Sequence, residues 1–134
     1  MTGELDWGPL IAAAHAVRER SYSPYSRFAV GAAVATESGA IHAGCNVENR
    51  SFGLTLCAER VAVSAAVAAG SGPPVAVAVV TDADPPAPPC GLCRETLAEF
   101  AGPDLPVLLL STAGERRLTT LGELFPEPFV FPPG

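Results

Sequence analysis

Three cysteines and one glutamate are spaced along this chain in a way that could support chemistry. Cys57-Ala58-Glu59 begins one predicted helix, and Cys90-Gly91-Leu92-Cys93 begins the next. In a reducing compartment, free thiols in spaced pairs indicate metal binding or catalysis before they indicate disulfides. Three thiolates would leave one position of a tetrahedral zinc ion open, which is typical of catalytic zinc sites. Glu59 is close enough to a ligand to move protons at that position without binding the metal itself.

Positive charge is expected next to these thiolates, because three of them on Zn²⁺ leave a net negative centre. The N-termini of the two helices supply partial positive charge and free N–H groups. Arg60 and Arg94 each directly follow one motif. We therefore expect both guanidinium groups to donate hydrogen bonds to the thiolates, as outer partners of the metal ligands.

Other interpretations of the cysteines remain open at this point. A closed structural zinc site would need a fourth ligand, for which Cys45 is the remaining cysteine. A redox pair of Cys90 and Cys93 would leave Cys57 and Glu59 unexplained. Cys45 otherwise fits a small apolar residue at the end of a strand. His15 and His42 are not spaced as metal ligands.

The elements that must position these residues follow from the hydrophobic pattern. Their order, helix-strand-strand-helix-strand-helix-strand, predicts an α/β protein with one sheet and helices on its faces. A Pro/Gly-rich segment ends the second helix, and four prolines precede the C-x-x-C helix. The predicted helices cover residues 6–20, 57–69 and 91–100, the strands cover 28–36, 40–45, 75–81 and 106–111, and a short helical piece covers 121–125.

Length and composition limit the classes of protein that remain. The chain has 134 residues, which predicts a single domain over residues 1–134. Hydrophobic residues make up 49% and charged residues 16%, which excludes intrinsic disorder. All 8 basic residues are Arg, and the net charge of −6 argues against binding a nucleic acid polymer. The apolar runs are too short to span a membrane, so a cytoplasmic protein is expected.

The motifs together resemble those of a known family. A ligand-x-Glu step followed by Pro-Cys-x-x-Cys is the signature of zinc-dependent deaminases of nucleobases. The chain resembles the small homotetrameric cytidine deaminases of the three-cysteine type over nearly its whole length. The stretches that carry the resemblance are residues 22–28, 30–32, 44–49, 57–60, 89–94 and 121–126.

The resemblance implies a fold, a metal and a reaction. The fold would be a three-layer α/β/α sandwich around a mixed sheet. Cys57, Cys90 and Cys93 would hold one Zn²⁺ per subunit, with Glu59 as the proton shuttle. The reaction would be hydrolytic deamination of cytidine and 2′-deoxycytidine to uridine and 2′-deoxyuridine, with release of ammonia, in pyrimidine salvage.

The resemblance also implies how a nucleoside would be held. Phe28 would lie against the pyrimidine ring, while Asn46 and Glu48 would hydrogen-bond the ribose hydroxyls. The backbone of Ala58 would hold the amide edge of the base. Phe129 would reach a neighbouring active site, so that sites are shared between the subunits of a homotetramer.

Four residues depart from the usual pattern of the family. These are Arg50, Phe52, Leu92 and Glu95. In one interpretation they are neutral, with Arg50 paired to a nearby carboxylate and Glu95 paired to Arg94. In another, Arg50 and Phe52 alter the 5′ side of the pocket and favour modified, phosphorylated or antibiotic nucleosides, as in a blasticidin S-type deaminase.

Two further classes of function are disfavoured by the residues. A zinc-stabilised binding module without catalysis would not need Glu59 or an open metal position. A deaminase that edits polynucleotides would need a basic groove, which the acidic composition does not favour.

Overall fold

A mixed five-stranded sheet forms the middle layer of the protein. The computed structural model describes residues 5–132. The strands follow the order β2-β1-β3-β4-β5, in which β3 and β4 are parallel and the other neighbours are antiparallel. The strands are β1 (Gly31–Thr36), β2 (Ile41–Cys45), β3 (Pro74–Thr81), β4 (Pro106–Ser111) and β5 (Arg116–Thr120), and the helices are α1 (Gly8–Arg18), α2 (Ala58–Ala68), α3 (Gly91–Phe100) and α4 (Leu121–Leu124).

Helices cover both faces of this sheet. Leu10 and Ala14 of α1 pack on one face, against alternate residues of the central strands such as Ala78. Helices α2, α3 and α4 pack on the other face, where residues such as Val77 alternate with the first set. The arrangement is a three-layer α/β/α sandwich, so the predicted fold class is confirmed.

Two glycines allow the helices to lie very close to the sheet. A Cβ atom on Gly31 would sit 2.1 Å from the carbonyl oxygen of Ala14 in α1. On Gly44 it would sit 2.5 Å from the backbone nitrogen of Ala62 and 2.7 Å from the carbonyl oxygen of Ala58. The backbone of β2 therefore contacts the first turns of α2 directly, and this contact fixes where α2 begins.

Two segments differ from the sequence-based expectation. Strand β5 was not predicted, because Arg116 and Arg117 at its start are exposed and give no apolar alternation. Residues 28–30, predicted as the start of the first strand, form a loop instead. Asn46 holds this loop, because its Oδ1 accepts the N–H of Val30 at 3.0 Å and its backbone N–H donates to Val30 O at 3.3 Å.

Within residues 5–132, no helix is both long and apolar enough to cross a membrane. The predicted domain over residues 1–134 extends past the described residues at both ends, and it stays a prediction.

Candidate active site

Three cysteine sulfurs converge where α2 and α3 begin. Cys57 and Cys90 are the extended residues that precede the two helices, and Cys93 lies in the first turn of α3. The Sγ atoms of Cys57 and Cys90 are 3.6 Å apart, as are those of Cys90 and Cys93, and all three lie within 4.8 Å of one another. Cys45 is outside this cluster.

The spacing of the sulfurs fits a shared zinc ion. A disulfide would need an S–S distance of about 2.0 Å, which excludes one here. Zn–S bonds of about 2.3 Å in tetrahedral geometry place two sulfurs about 3.8 Å apart. The observed 3.6 Å is close to that value. Cys57, Cys90 and Cys93 would supply three thiolate ligands, and all three also line the adjacent cavity.

Interactions among the cysteine thiols shift the pKa values of Cys57 and Cys93. The pKa of Cys57 is lowered to about 5, mainly by its hydrogen bond with Cys93, with smaller contributions from Cys90 and Arg60. The pKa of Cys93 is raised, because it donates to Cys57 and is buried. The two sulfurs thus interact electrostatically, and a bound metal would displace thiol protons.

The two arginines next to the motifs have different partners. Arg60 donates from Nη2 to Thr55 O at 2.7 Å and lies close enough to Cys57 to lower its pKa. Its Nε is buried without a partner among residues 5–132. Arg60 therefore keeps a donor available beside the sulfur cluster.

The contacts of Arg94 differ from the expected donation to a thiolate. Arg94 donates from Nε to Pro89 O at 2.8 Å and from Nη1 to Leu124 O. The side chain of a residue in the first turn of a helix leans back toward the preceding segment, which brings these carbonyls within reach. Arg94 thus ties the turn before Cys90 to the end of α4.

Glu59 is the buried acid beside the sulfur cluster. It is the second residue of α2 and is only 5% exposed. Burial raises the pKa of its carboxyl group, and the charge of Cys57 raises it further. A carboxyl group with a raised pKa holds its proton more readily, which suits a general acid or base.

Glu59 and the sulfurs form the floor of a cavity of about 230 Å³. Phe28, 36% exposed, forms part of its wall, together with Ala58 at the start of α2. The structure therefore brings together most of the residues predicted from the sequence. The cavity is lined by Ser26, Phe28, Val30, Asn46, Glu48, Thr55, Cys57, Ala58, Glu59, Val79, Thr81, Ala87, Pro88, Cys90 and Cys93.

Asn46 holds the backbone of the loop that carries Phe28. Its Oδ1 accepts hydrogen bonds from Ser21 Oγ and from Val30 N. Its Nδ2 donates to Phe28 O at 2.8 Å. Both lone pairs of the oxygen are therefore used, and one amide hydrogen remains for a ligand.

Glu48 holds the same loop from its other side. Its Oε1 accepts the N–H groups of Tyr25 and Ser26, at 3.0 and 3.1 Å, and its Oε2 accepts the hydroxyl of Ser26. These hydrogen bonds, above all the one from the Ser26 hydroxyl, lower the pKa of Glu48. Sequence reasoning did not single out Ser26, although its place in the Tyr22–Phe28 motif was a signal.

A second cavity of about 300 Å³ adjoins the first and shares Ser26, Glu48 and Thr55 with it. Phe52, 72% exposed, lies on this side and meets the ring of Tyr25 edge-on, with centroids 5.7 Å apart. The cysteines of the sulfur cluster are not among the residues that line it.

The remaining predicted residues lie outside both cavities. Phe129 is 74% exposed, and its ring meets that of Phe131 edge-on, with centroids 6.3 Å apart. Arg50, Leu92 and Glu95 are exposed. Within the described residues the one recorded ion pair joins Arg18 to Asp82, so the expected pairing of Glu95 with Arg94 is not observed.

Comparison with known proteins points in one direction. Residues 9–109 match the family model of the cytidine and deoxycytidylate deaminase zinc-binding region. A cytidine deaminase from Sporosarcina psychrophila is 44% identical, over 93% of this chain and 92% of that protein. The crystal structure of a cytidine deaminase from Burkholderia pseudomallei has a TM-score of 0.89 and 46% identity, covering 93% of this chain and 100% of that one.

A blasticidin-S deaminase from Bacillus cereus is a more distant relative. It is 35% identical, over 72% of this chain and 74% of that protein. The cytidine deaminases from Sporosarcina psychrophila and Burkholderia pseudomallei have higher identity and coverage than this relative. The chain belongs to the cytidine and deoxycytidylate deaminase family.

Proposed function

We propose that this protein is a zinc-dependent cytidine deaminase that converts cytidine and 2′-deoxycytidine to uridine and 2′-deoxyuridine in pyrimidine salvage. The observation that carries the proposal is the buried Glu59 carboxyl group beside three converging cysteine sulfurs on the floor of one cavity. Water adds at C4 of the base and ammonia leaves, so the atoms balance with no other reactant.

Cys57, Cys90 and Cys93 would hold one zinc ion per chain. When bound, zinc supplies a Lewis acid that makes a coordinated water acidic near neutral pH. Arg60 contributes positive charge beside Cys57, which offsets part of the negative charge of three thiolates.

Glu59 is proposed to carry the protons of the reaction. It takes one proton from the attacking water and delivers it to N3 of the base. As the C4–N bond breaks, it moves a second proton, from the new hydroxyl group on C4, to the amine, which leaves as ammonia. Its burial keeps the carboxyl group in one place and raises its pKa. The backbone of Ala58, also in the cavity floor, holds the amide edge of the base.

Phe28, Asn46 and Glu48 are proposed to bind the nucleoside. The ring of Phe28 offers a flat apolar surface to the base. Asn46 has one amide hydrogen free to donate, and Glu48 Oε2 has one lone pair free to accept. A donor beside an acceptor suits ribose hydroxyl groups, which both accept and donate hydrogen bonds.

Assembly is proposed to complete the site. Exposed apolar side chains surround the second cavity, among them Tyr25, Phe52 and Leu54. Such a cluster on the surface is typical of a protein interface. We propose a homotetramer in which Phe129 of one subunit covers the cavity of another, and a cytoplasmic location, where the thiols stay reduced.

Turnover of a nucleoside panel tests the proposal. Ammonia release is measured with cytidine, 2′-deoxycytidine, their 5′-monophosphates and blasticidin S, on protein whose zinc content has been determined. Cytidine and 2′-deoxycytidine should have the highest kcat/KM, with about one zinc per chain. A preference for blasticidin S or for a monophosphate would instead support the altered 5′ side suggested by Arg50 and Phe52.

A further inference from the structure

Ser26 joins the two groups that are proposed to hold the nucleoside. We propose that Ser26 is a positioning residue for ribose recognition, because it fixes both the carboxylate of Glu48 and the backbone of Phe28. The inference rests on the proposed function of the cavity and adds a residue to it.

Ser26 forms two hydrogen bonds with the Glu48 carboxylate. The N–H of Ser26 donates to Oε1 at 3.1 Å, and its hydroxyl donates to Oε2. Tyr25 N–H fills the other lone pair of Oε1 at 3.0 Å. The carboxylate is thus fixed at both oxygens, and its remaining acceptor position is on Oε2, the oxygen that the Ser26 hydroxyl orients.

Ser26 also forms a hydrogen bond with the backbone of Phe28, the residue that carries the aromatic ring. Phe28 N–H donates to Ser26 Oγ at 3.0 Å. Arg27, between them, has a φ of 58°, in the left-handed region that favours glycine. This turn allows residues on either side of Arg27 to face the same cavity, which both Ser26 and Phe28 line.

The hydroxyl of Ser26 has no hydrogen left for a substrate. Its one hydrogen is used on Glu48 and one lone pair is used by Phe28 N–H. Ser26 therefore acts through Glu48 and Phe28, and a change at Ser26 should affect the binding of ribose hydroxyls more than the chemical step.

Steady-state kinetics of Ser26→Ala test this inference. The KM for cytidine should rise about tenfold, because a hydrogen bond to a charged group is lost, while kcat changes by less than about threefold. The inhibition constant of 2′,3′-dideoxycytidine, a competitor without the two hydroxyls, should rise by less than about threefold, because only the loss transmitted through Phe28 affects it. Ser23→Ala, which removes a hydroxyl from the same loop but outside both cavities, is the matched control and should behave as wild type.

A pair of isosteric variants separates the hydroxyl from the shape of the side chain. Ser26→Thr keeps the hydroxyl and should retain a KM near the wild-type value, whereas Ser26→Val should show the raised KM. Equal losses for cytidine and the dideoxy competitor, or a Ser26→Val protein that binds cytidine normally, would overturn the inference. Wild-type protein that turns over no cytosine nucleoside would overturn the proposed function itself.

Discussion

Asn46 and Glu48 have opposite hydrogen-bonding roles, although both line the cavity. The loop occupies the two lone pairs of the Asn46 oxygen and leaves an N–H. On Glu48 it leaves an acceptor. The pair thus presents one donor and one acceptor, and neither residue can exchange its role without breaking a bond that shapes the loop.

The buried acid gives the first prediction at the scale of single residues. Glu59→Gln keeps the size of the side chain but removes the proton that it exchanges, so kcat should fall by about 10²–10⁴-fold. Zinc content and thermal unfolding should remain close to wild type, since Glu59 is not among the converging sulfur ligands. Turnover of cytidine and metal analysis on the same preparation measure both effects.

The matched control for this variant is Glu99→Gln. Glu99 is an exposed acid on α3, away from the cavity, and its change should leave kcat unaltered. Near-normal turnover by Glu59→Gln would contradict the role of Glu59 as proton carrier.

The Glu48 carboxylate gives a prediction about pH. Its pKa is lowered in the folded protein, chiefly by the Ser26 hydroxyl, from an ordinary value of 4.5. The ionised form is therefore favoured by folding, so its contribution to stability is complete above pH 4.5 and is lost as the pH falls through the folded-state pKa.

Unfolding of wild type and Glu48→Gln at several pH values measures this contribution. The difference in unfolding free energy should be constant near about pH 7 and should shrink below the ordinary carboxyl pKa. A difference that grows on acidification would mean that folding favours the protonated form of Glu48.

Among the secondary-structure elements, the contact of β2 with α2 sets the position of the first turn of α2, which carries Glu59. Gly44→Ala would place a methyl group 2.5 Å from Ala62 N, against backbone that cannot move independently. We expect a loss of about 1–3 kcal/mol of stability, as for other overpacked cores. Because α2 carries Cys57 at its start and Glu59 in its first turn, turnover should fall as well.

Gly102→Ala is the control for this prediction. Its added Cβ would meet nothing within 4 Å, and its backbone is not in the left-handed region. Chemical denaturation of the two variants should show a loss for Gly44→Ala alone, and equal stabilities would contradict the close contact.

The sequence was sufficient to predict the cluster of three cysteines and the layers of the fold. Cysteines at helix starts have little freedom, so the spacing of Cys57, Cys90 and Cys93 translated directly into one cluster. The long apolar strands and the Ala-rich helix α2 were likewise predictable, because apolar segments of this kind become buried in a sheet that is covered on both faces.

Features that depend on long-range contacts were not predictable. The guanidinium group of Arg94 bonds to Leu124 O, and nothing in the local sequence places α4 beside α3. Strand β5 is defined by pairing with β4 rather than by its own pattern. The role of Ser26 requires knowing that a loop before β1 returns to Glu48 after β2.

At the scale of the whole molecule, a metal ion would connect helices that lie on the same face but are far apart in sequence. Removing zinc with a chelator should therefore lower the unfolding temperature as well as abolish turnover. A ligand at about 1,000-fold its dissociation constant stabilises a folded protein by about 4 kcal/mol. Thermal unfolding with and without chelator, followed by addition of zinc, measures the loss and its recovery.

Two variants make this test specific. Cys57→Ser should start at the lower unfolding temperature and respond little to the chelator. Cys45→Ser, outside the cluster, should respond as wild type does. An unfolding temperature that is unchanged by the chelator in wild type would contradict a structural contribution of the metal.

Arg116 and Arg117, the exposed residues that gave β5 no apolar alternation, also have a consequence for aggregation. In the part of the chain that the structure describes, β5 pairs with β4 on one side and forms an edge of the sheet. Unpaired edges invite strands of other molecules, and charged side chains discourage this. Two copies of β5 brought edge to edge would place the cationic Arg116 and Arg117 of each against those of the other. These charges disfavour extension of the sheet at this edge by a second copy of the chain.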